Sequence, residues 1–247
     1  MTIKVKVCGI TNQKEMNQIK KLNVDHIGFI NIKRSKRHIS IEEVKNLQEK
    51  INDKQLATLV LEPNNAYEVT KKVDVTKICN IQLHSLSNYD IRYIKWSNQY
   101  NDYGYVNATK VIGLKDKLDI KKINEIKTYS LYSDNILLDY VKYGLTGGTN
   151  TQIPIETAIE ASKIIRQENP NTEVTLAGGL NYKYLESIID KLHYFDRIDL
   201  NSGVENSPGH KNIHEIKRIM NLVNETWLKW NMMENLENMV EYSYPNY

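Results

Sequence analysis

Short apolar, β-branched runs recur eight times along the chain, at residues 5–8, 26–30, 57–61, 78–83, 110–114, 135–139, 173–177 and 197–201. Most are apolar on consecutive residues, the pattern of parallel strands covered on both faces. Between them the period lengthens to that of a helix. One-sided stripes fall at Met16, Ile19 and Leu22, at Ile41, Val44, Leu47 and Ile51, at Leu185, Ile188, Ile189 and Leu192, and at Ile213, Ile216, Ile219, Met220 and Val223. Start signals agree with this division: Ser40 and Glu43 form a capping-box pattern, and Asn12, Asn64 and Asn181 stand where N-caps are wanted. Residues 96–109 are polar, tyrosine-bearing and without a clear period, which predicts a frayed fourth helix followed by an enlarged loop.

Strand and helix in alternation give an open doubly wound sheet or a closed barrel. Eight units with no GxGxxG after the first strand favour an α/β fold of the (βα)8 (TIM) barrel type. A length of 247 residues agrees, since such barrels run to about 250 residues. The predicted organisation is one barrel domain over residues 1–226. A C-terminal extension follows over 227–247, carrying Trp230, Met232, Met233, Leu236, Met239 and Val240, and is expected as a helix or a flexible tail.

Charge narrows the partners. The 33 basic residues are interleaved with 30 acidic ones for a net charge of +3, so no stripe for nucleic acid is expected. Apolar runs are too short to cross a bilayer, and the start of the chain lacks the apolar core of a signal peptide, so the cytoplasm is expected and no membrane contact. Cys8 and Cys79 are unpaired by motif, and no His/Cys cluster has metal-ligand spacing, which predicts reduced thiols and no metal.

In (βα)8 enzymes the chemistry sits at the C-terminal ends of the strands. Those positions hold Cys8-Gly9, Arg37 after the second strand, Gln82 and His84, Asp139, Ala177-Gly178-Gly179, and Asp199 with Asn201-Ser202-Gly203. A glycine pair alone is most often a tight turn. Two such turns after the last two strands suit a phosphate, held by side-chain-free amides and the Ser202 hydroxyl.

At this point the chain resembles a family. Val5-Lys6-Val7-Cys8-Gly9-Ile10-Thr11, Gln82-Leu83-His84, Leu137-Leu138-Asp139 followed by Gly147-Gly148-Thr149, Ala177-Gly178-Gly179-Leu180, and Asp199 to Glu205 with Pro208-Gly209 and Lys211 stand in the order found in phosphoribosylanthranilate isomerases of tryptophan biosynthesis. The resemblance implies a barrel of the ribulose-phosphate-binding type, acting as monomer or homodimer on phosphoribosylanthranilate without a cofactor. The reaction implied is an Amadori rearrangement, in which an acid opens the ribose ring and a base removes the C2 proton of the Schiff base. Carried over by motif, Cys8 is the base and Asp139 the acid. Arg37 takes the anthranilate carboxylate, Gln82, His84 and Asp199 line the substrate pocket, and Gly148, Thr149, Gly178, Gly179, Ser202 and Gly203 hold the phosphate.

Those roles make demands on ionisation. The Cys8 thiol, ordinarily near about 8.5, should be drawn toward neutrality by positive charge or amide dipoles, and Asp139 should be raised by burial. Plainer roles compete with each assignment. On the plainer reading Cys8 is an inert buried thiol, the fate expected for Cys79 inside its strand; Asp139 is a loop cap or half of an ion pair; Arg37 is a solvated charge in the basic run 33–38; His84 and Asp199 are structural hydrogen-bonders. The chain also departs from the family pattern. Asn150 stands where the Gly-Gly-Thr loop usually ends in glycine, Ile153-Pro154-Ile155 replaces Phe-Asp-Trp, Ser85 replaces glycine and Lys36 replaces proline. Two rivals remain: a histidine-pathway phosphoribosyl isomerase, which would need an aspartate where the first strand ends in Cys8 and the fifth in Gly113-Leu114, and a non-catalytic paralogue that keeps the phosphate site.

Overall fold

The computed structural model describes residues 3–51, 57–97, 104–141 and 152–241. Strands and helices alternate as β1 (Lys4–Cys8), α1 (Gln13–Lys20), β2 (His26–Asn31), α2 (Ile41–Gln48), β3 (Ala57–Leu61), α3 (Ala66–Thr76), β4 (Asn80–Leu83), α4 (Asn88–Ser97), β5 (Asn107–Leu114), α5 (Ile120–Ser130), β6 (Asn135–Tyr140), α6 (Ile155–Glu168), β7 (Glu173–Leu176), α7 (Tyr182–Ser187) and β8 (Arg197–Leu200). A short antiparallel pair, β9 (Glu205–Ser207) and β10 (His210–Lys211), leads into α8 (Ile213–Glu241). The first eight strands form a closed barrel in sequence order, with β1 parallel to both β2 and β8. Closure leaves this sheet no edge to protect.

Alternation along each strand sorts the side chains between two environments. Val5 and Val7 of β1, Ile81 and Leu83 of β4, and Ile198 and Leu200 of β8 join the main core between barrel and helices. Lys6, Cys8, Gln82 and Asp199, on the opposite parity, are buried inside the barrel. The interior also holds two small apolar clusters, Cys8 with Ile30, Ile32 and Val60, and Val111 with Leu137 and Ala177. At the N-terminal end of the barrel Glu173 pairs with Lys4 at 2.6 Å and Arg197 at 2.8 Å, a polar layer remote from the strand ends where the site lies.

Several local expectations are corrected. Strand β5 begins at Asn107, so part of the stretch read as loop is strand, and Trp96 and Ser97 belong to α4; residues 98–103 lie outside the described residues. The polar Thr109 concealed the strand because it faces the barrel interior, where it is 6% exposed. Cys79 precedes β4 and is half-buried, so it is neither inside a strand nor fully buried. The cap of α3 is Asn65, whose side chain accepts the Glu68 N–H, while Asn64 donates through its own N–H and side chain to the Glu68 carboxylate. The stripe around Leu185–Leu192 is not one α-helix: α7 stops at Ser187, and Ile189–Tyr194 winds as a 3-10 helix that still buries Leu192. The capping box of Ser40 and Glu43 and the caps Asn12 and Asn181 are present. Helix α8 packs along α1 and α7 and continues through position 241. Among the described residues no helix is long and apolar enough to cross a membrane.

Candidate active site

At the C-terminal ends of the strands lies a cavity of about 230 Å³ lined by Cys8, Arg37, Gln82, His84, Asp139, Gly178, Gly179, Asp199 and Ser202, among others. Nine positions singled out in the sequence therefore meet in one space. Gly203 lies just behind it in the turn after β8, and Gly148, Thr149 and Asn150 lie outside the described residues.

Cys8 owes its place to two glycines. It pairs with Gly28 across β1 and β2, and a Cβ at Gly28 would stand 2.7 Å from the Cys8 sulfur, so only glycine leaves room for the thiol. Gly9 takes φ +77°, and a Cβ there would meet Arg37 Cδ at 2.7 Å and Asn201 Oδ1 at 2.8 Å. The turn after β1 thus runs hard against both residues. Burial pushes the Cys8 thiol above its ordinary range; Lys6 opposes, Asp199 reinforces, and Lys211 opposes. The expectation of a thiol drawn down to neutrality is corrected. The positive charges are present, but desolvation outweighs them.

Lys6 was not singled out in the sequence, although it shares the inward face of β1 with Cys8 two residues on. It is 2% exposed, and its ammonium lies 2.8 Å from Gln82 Oε1 and 3.0 Å from both oxygens of Asp199. Burial works against this charge, but Asp199 and Cys8 more than offset it and hold Lys6 above its ordinary range. Gln82 carries the chain of hydrogen bonds onward, its Nε2 lying 3.3 Å from His84 Nε2. Burial lowers the His84 pKa to about 4, so the ring is neutral at neutral pH and its Nε2 is able to accept from Gln82.

Arg37 is 8% exposed and not a solvated member of the basic run. Its Nε lies 2.8 Å and its Nη2 2.5 Å from the Glu205 carboxylate, a bidentate pair. Glu205 also accepts from Lys211 at 2.7 Å, and Lys211 reaches Asn201 Oδ1 at 2.9 Å. Burial lowers the Lys211 pKa, with Glu205 opposing. Glu205 and Lys211 were visible only as parts of a motif; β9 and β10 bring them beneath the site. Asp139 is 6% exposed, and its Oδ1 accepts the Tyr140 N–H at 2.8 Å.

Two turns face the cavity from β7 and β8. Gly178 and Gly179 take φ +94° and +58°, a left-handed region that costs other residues energy. A Cβ at Gly203 would sit 2.1 Å from the Leu180 carbonyl oxygen, so the second turn is seated directly on the first. The departures from the family pattern are accommodated where they are described. Ser85 Oγ bonds the Pro63 carbonyl at 2.5 Å, Lys36 lines the cavity, and the buried Ile153 receives a hydrogen bond from Tyr184 Oη on its carbonyl at 2.9 Å. Gly203→Ala should lower the melting temperature by the equivalent of roughly 1–3 kcal/mol and weaken binding of inorganic phosphate; calorimetry with and without phosphate measures both.

Fold and site together define a (βα)8-barrel enzyme with ionisable groups from β1, β4, β6 and β8 converging on one cavity at the strand ends. The profile of the N-(5'-phosphoribosyl)anthranilate (PRA) isomerase family matches residues 5–222, and the chain belongs to that family, as an isomerase of tryptophan biosynthesis. Among curated relatives, the N-(5'-phosphoribosyl)anthranilate isomerase of Methanothermobacter marburgensis is 32% identical over 221 residues, covering 90% of this chain and 94% of that protein. Its counterpart from Methanothermobacter thermautotrophicus is 32% identical over 225 residues, covering 90% and 89%. Among solved structures, phosphoribosyl anthranilate isomerase from Thermotoga maritima superposes with a TM-score of 0.73 at 23% identity, covering 90% of this chain and 99% of that one. Another, in complex with reduced 1-(o-carboxyphenylamino)-1-deoxyribulose 5-phosphate, gives 0.72 at 21% identity with the same coverage. Helix α8 continues past the matched region to Glu241.

Proposed function

We propose that this cavity carries out the Amadori rearrangement of N-(5-phosphoribosyl)anthranilate to 1-(2-carboxyphenylamino)-1-deoxyribulose 5-phosphate, with Asp139 as general acid and Cys8 as general base. The observation that carries this reading is that the thiol and the carboxylate line one cavity with the two glycine turns. The turn amides of Gly178, Gly179, Ser202 and Gly203 take the phosphate, with Gly148 and Thr149 assigned to it by motif. This anchors the sugar between β1 and β6. Asp139 gives its proton to the ribose ring oxygen as the bond from that oxygen to C1 breaks, leaving a Schiff base with the anthranilate nitrogen. The Cys8 thiolate then takes the C2 proton, the C–H electron pair forms the C1=C2 bond, and the C=N π pair returns to the nitrogen to give the enolamine, which tautomerises to the ketone.

Arg37 meets the anthranilate carboxylate. Glu205 fixes its guanidinium through Nε and Nη2, which leaves Nη1 for the ligand and makes a preformed, rigid cation. Neutral His84, Gln82 and Asp199 line the sugar side. Both proton-transfer groups belong to one chain, so the scheme holds for a monomer and for a homodimer. The test is to generate phosphoribosylanthranilate in situ and follow loss of its fluorescence with the purified protein. Turnover supports the reading; a folded protein that binds phosphate ligands without turnover sinks it.

A further inference from the structure

Lys6 takes no proton in the scheme above, and packing alone does not call for a lysine there. Its ammonium is enclosed by the barrel, 2.8 Å from Gln82 Oε1 and 3.0 Å from both Asp199 oxygens. As a device for stability a desolvated ion pair is poor, since an apolar pair of similar volume often does as well or better. Its location is electrostatically specific, however. Lys6 is the nearest inward residue to Cys8 on β1, and the thiol otherwise packs on Ile30, Ile32 and Val60. A thiolate formed against those apolar walls needs a counter-charge.

We infer that Lys6 is a positioning residue for the isomerisation: held by Asp199 and Gln82 beneath the thiol, its ammonium is the counter-charge against which the Cys8 thiolate forms, and Asp199 limits how much of that charge the thiolate feels. The inference rests on the reading of Cys8 as the base. Lys6 keeps its protons throughout, and the proton shed by Cys8 leaves to solvent through the cavity. Other charged and titratable groups act on the thiol or line its cavity, among them Lys36 and Arg34, the latter paired with Glu62. Lys211 from β10 acts in the same direction as Lys6, and Asp199 from β8 opposes. Arg37, from the loop after β2, is matched by Glu205, and His84, after β4, is neutral at neutral pH. Asp139 of β6 lines the same cavity. Among the groups that favour the thiolate, Lys6 acts most strongly.

The signs give a test that a purely structural ion pair would fail. In a Cys79→Ser background, alkylation of Cys8 by iodoacetamide is followed against pH, beside the acid limb of kcat/KM. Lys6→Met should move both upward by about one to three pH units, and Asp199→Asn should move the alkylation profile downward. An ion pair that serves only folding would lower the melting temperature of both variants and leave the alkylation profile in place, which overturns the inference. Should Lys6→Met fail to fold because it strands a buried carboxylate, Asp199→Asn decides alone: a profile that is unmoved or moved upward overturns it. Failure of the underlying reading looks different. A Cys8→Ala protein that turns over normally removes Cys8 as base whatever the alkylation profiles show.

Discussion

Cys8→Ala should lower kcat by roughly 100- to 10,000-fold, the usual worth of a positioned general acid or base, while the barrel persists. The sulfur is buried in a small interior cluster with Ile30, Ile32 and Val60, and the change removes one atom from it without stranding a charge. Circular dichroism and a thermal melt should therefore stay close to those of the parent protein. The pH dependence sharpens the assignment. Only the thiolate accepts the C2 proton, and burial pushes the thiol upward, so kcat/KM of the parent protein should still be rising with pH through neutrality. The alanine variant should lose that limb. Turnover within tenfold of the parent would assign the base elsewhere.

Asp139→Asn should cost a similar roughly 100- to 10,000-fold in kcat with little change in KM. The substitution separates two roles with one atom. Asparagine keeps the size of the side chain and an oxygen to accept the Tyr140 N–H, which Asp139 takes at 2.8 Å. It has no acidic proton for the ribose ring oxygen. If Asp139 merely capped the backbone after β6, the asparagine variant would be fully active. Loss of turnover with an unchanged melt and an unchanged affinity for product supports the acid; retained turnover refutes it.

Much of this site was legible along the chain because strand parity and turn chemistry are local. Cys8 and Asp139 end inward-facing runs, and the glycines after β7 and β8 follow directly on buried strands, so order and spacing alone placed them at one end of a barrel. Lys6 was overlooked for an instructive reason. A lone lysine within an apolar run carries no sign of its partners, and its burial against Gln82 and Asp199 is visible only in the packed barrel interior. Arg37 lay in a basic run that looked solvated, and its partner Glu205 is 168 residues away. The frayed segment before β5 misled because an inward-facing polar residue such as Thr109 is indistinguishable from a loop residue until the interior is known to be polar.

By itself, then, the sequence determined the eight strands, their parallel order, the caps of α1, α2 and α7, and the phosphate-suited turns, since each depends on period or on neighbours within a few residues. The tertiary structure alone decided the electrostatics. Asp199 reaches Lys6 across 193 residues of chain, Glu205 locks Arg37, and the resulting field competes with burial at Cys8. Desolvation and charge pairing are properties of the closed barrel, where residues far apart in the chain share a space that water has left. For that reason the chain pointed to the thiol, and the fold set burial, which favours the thiol, against the charge of Lys6, which favours the thiolate.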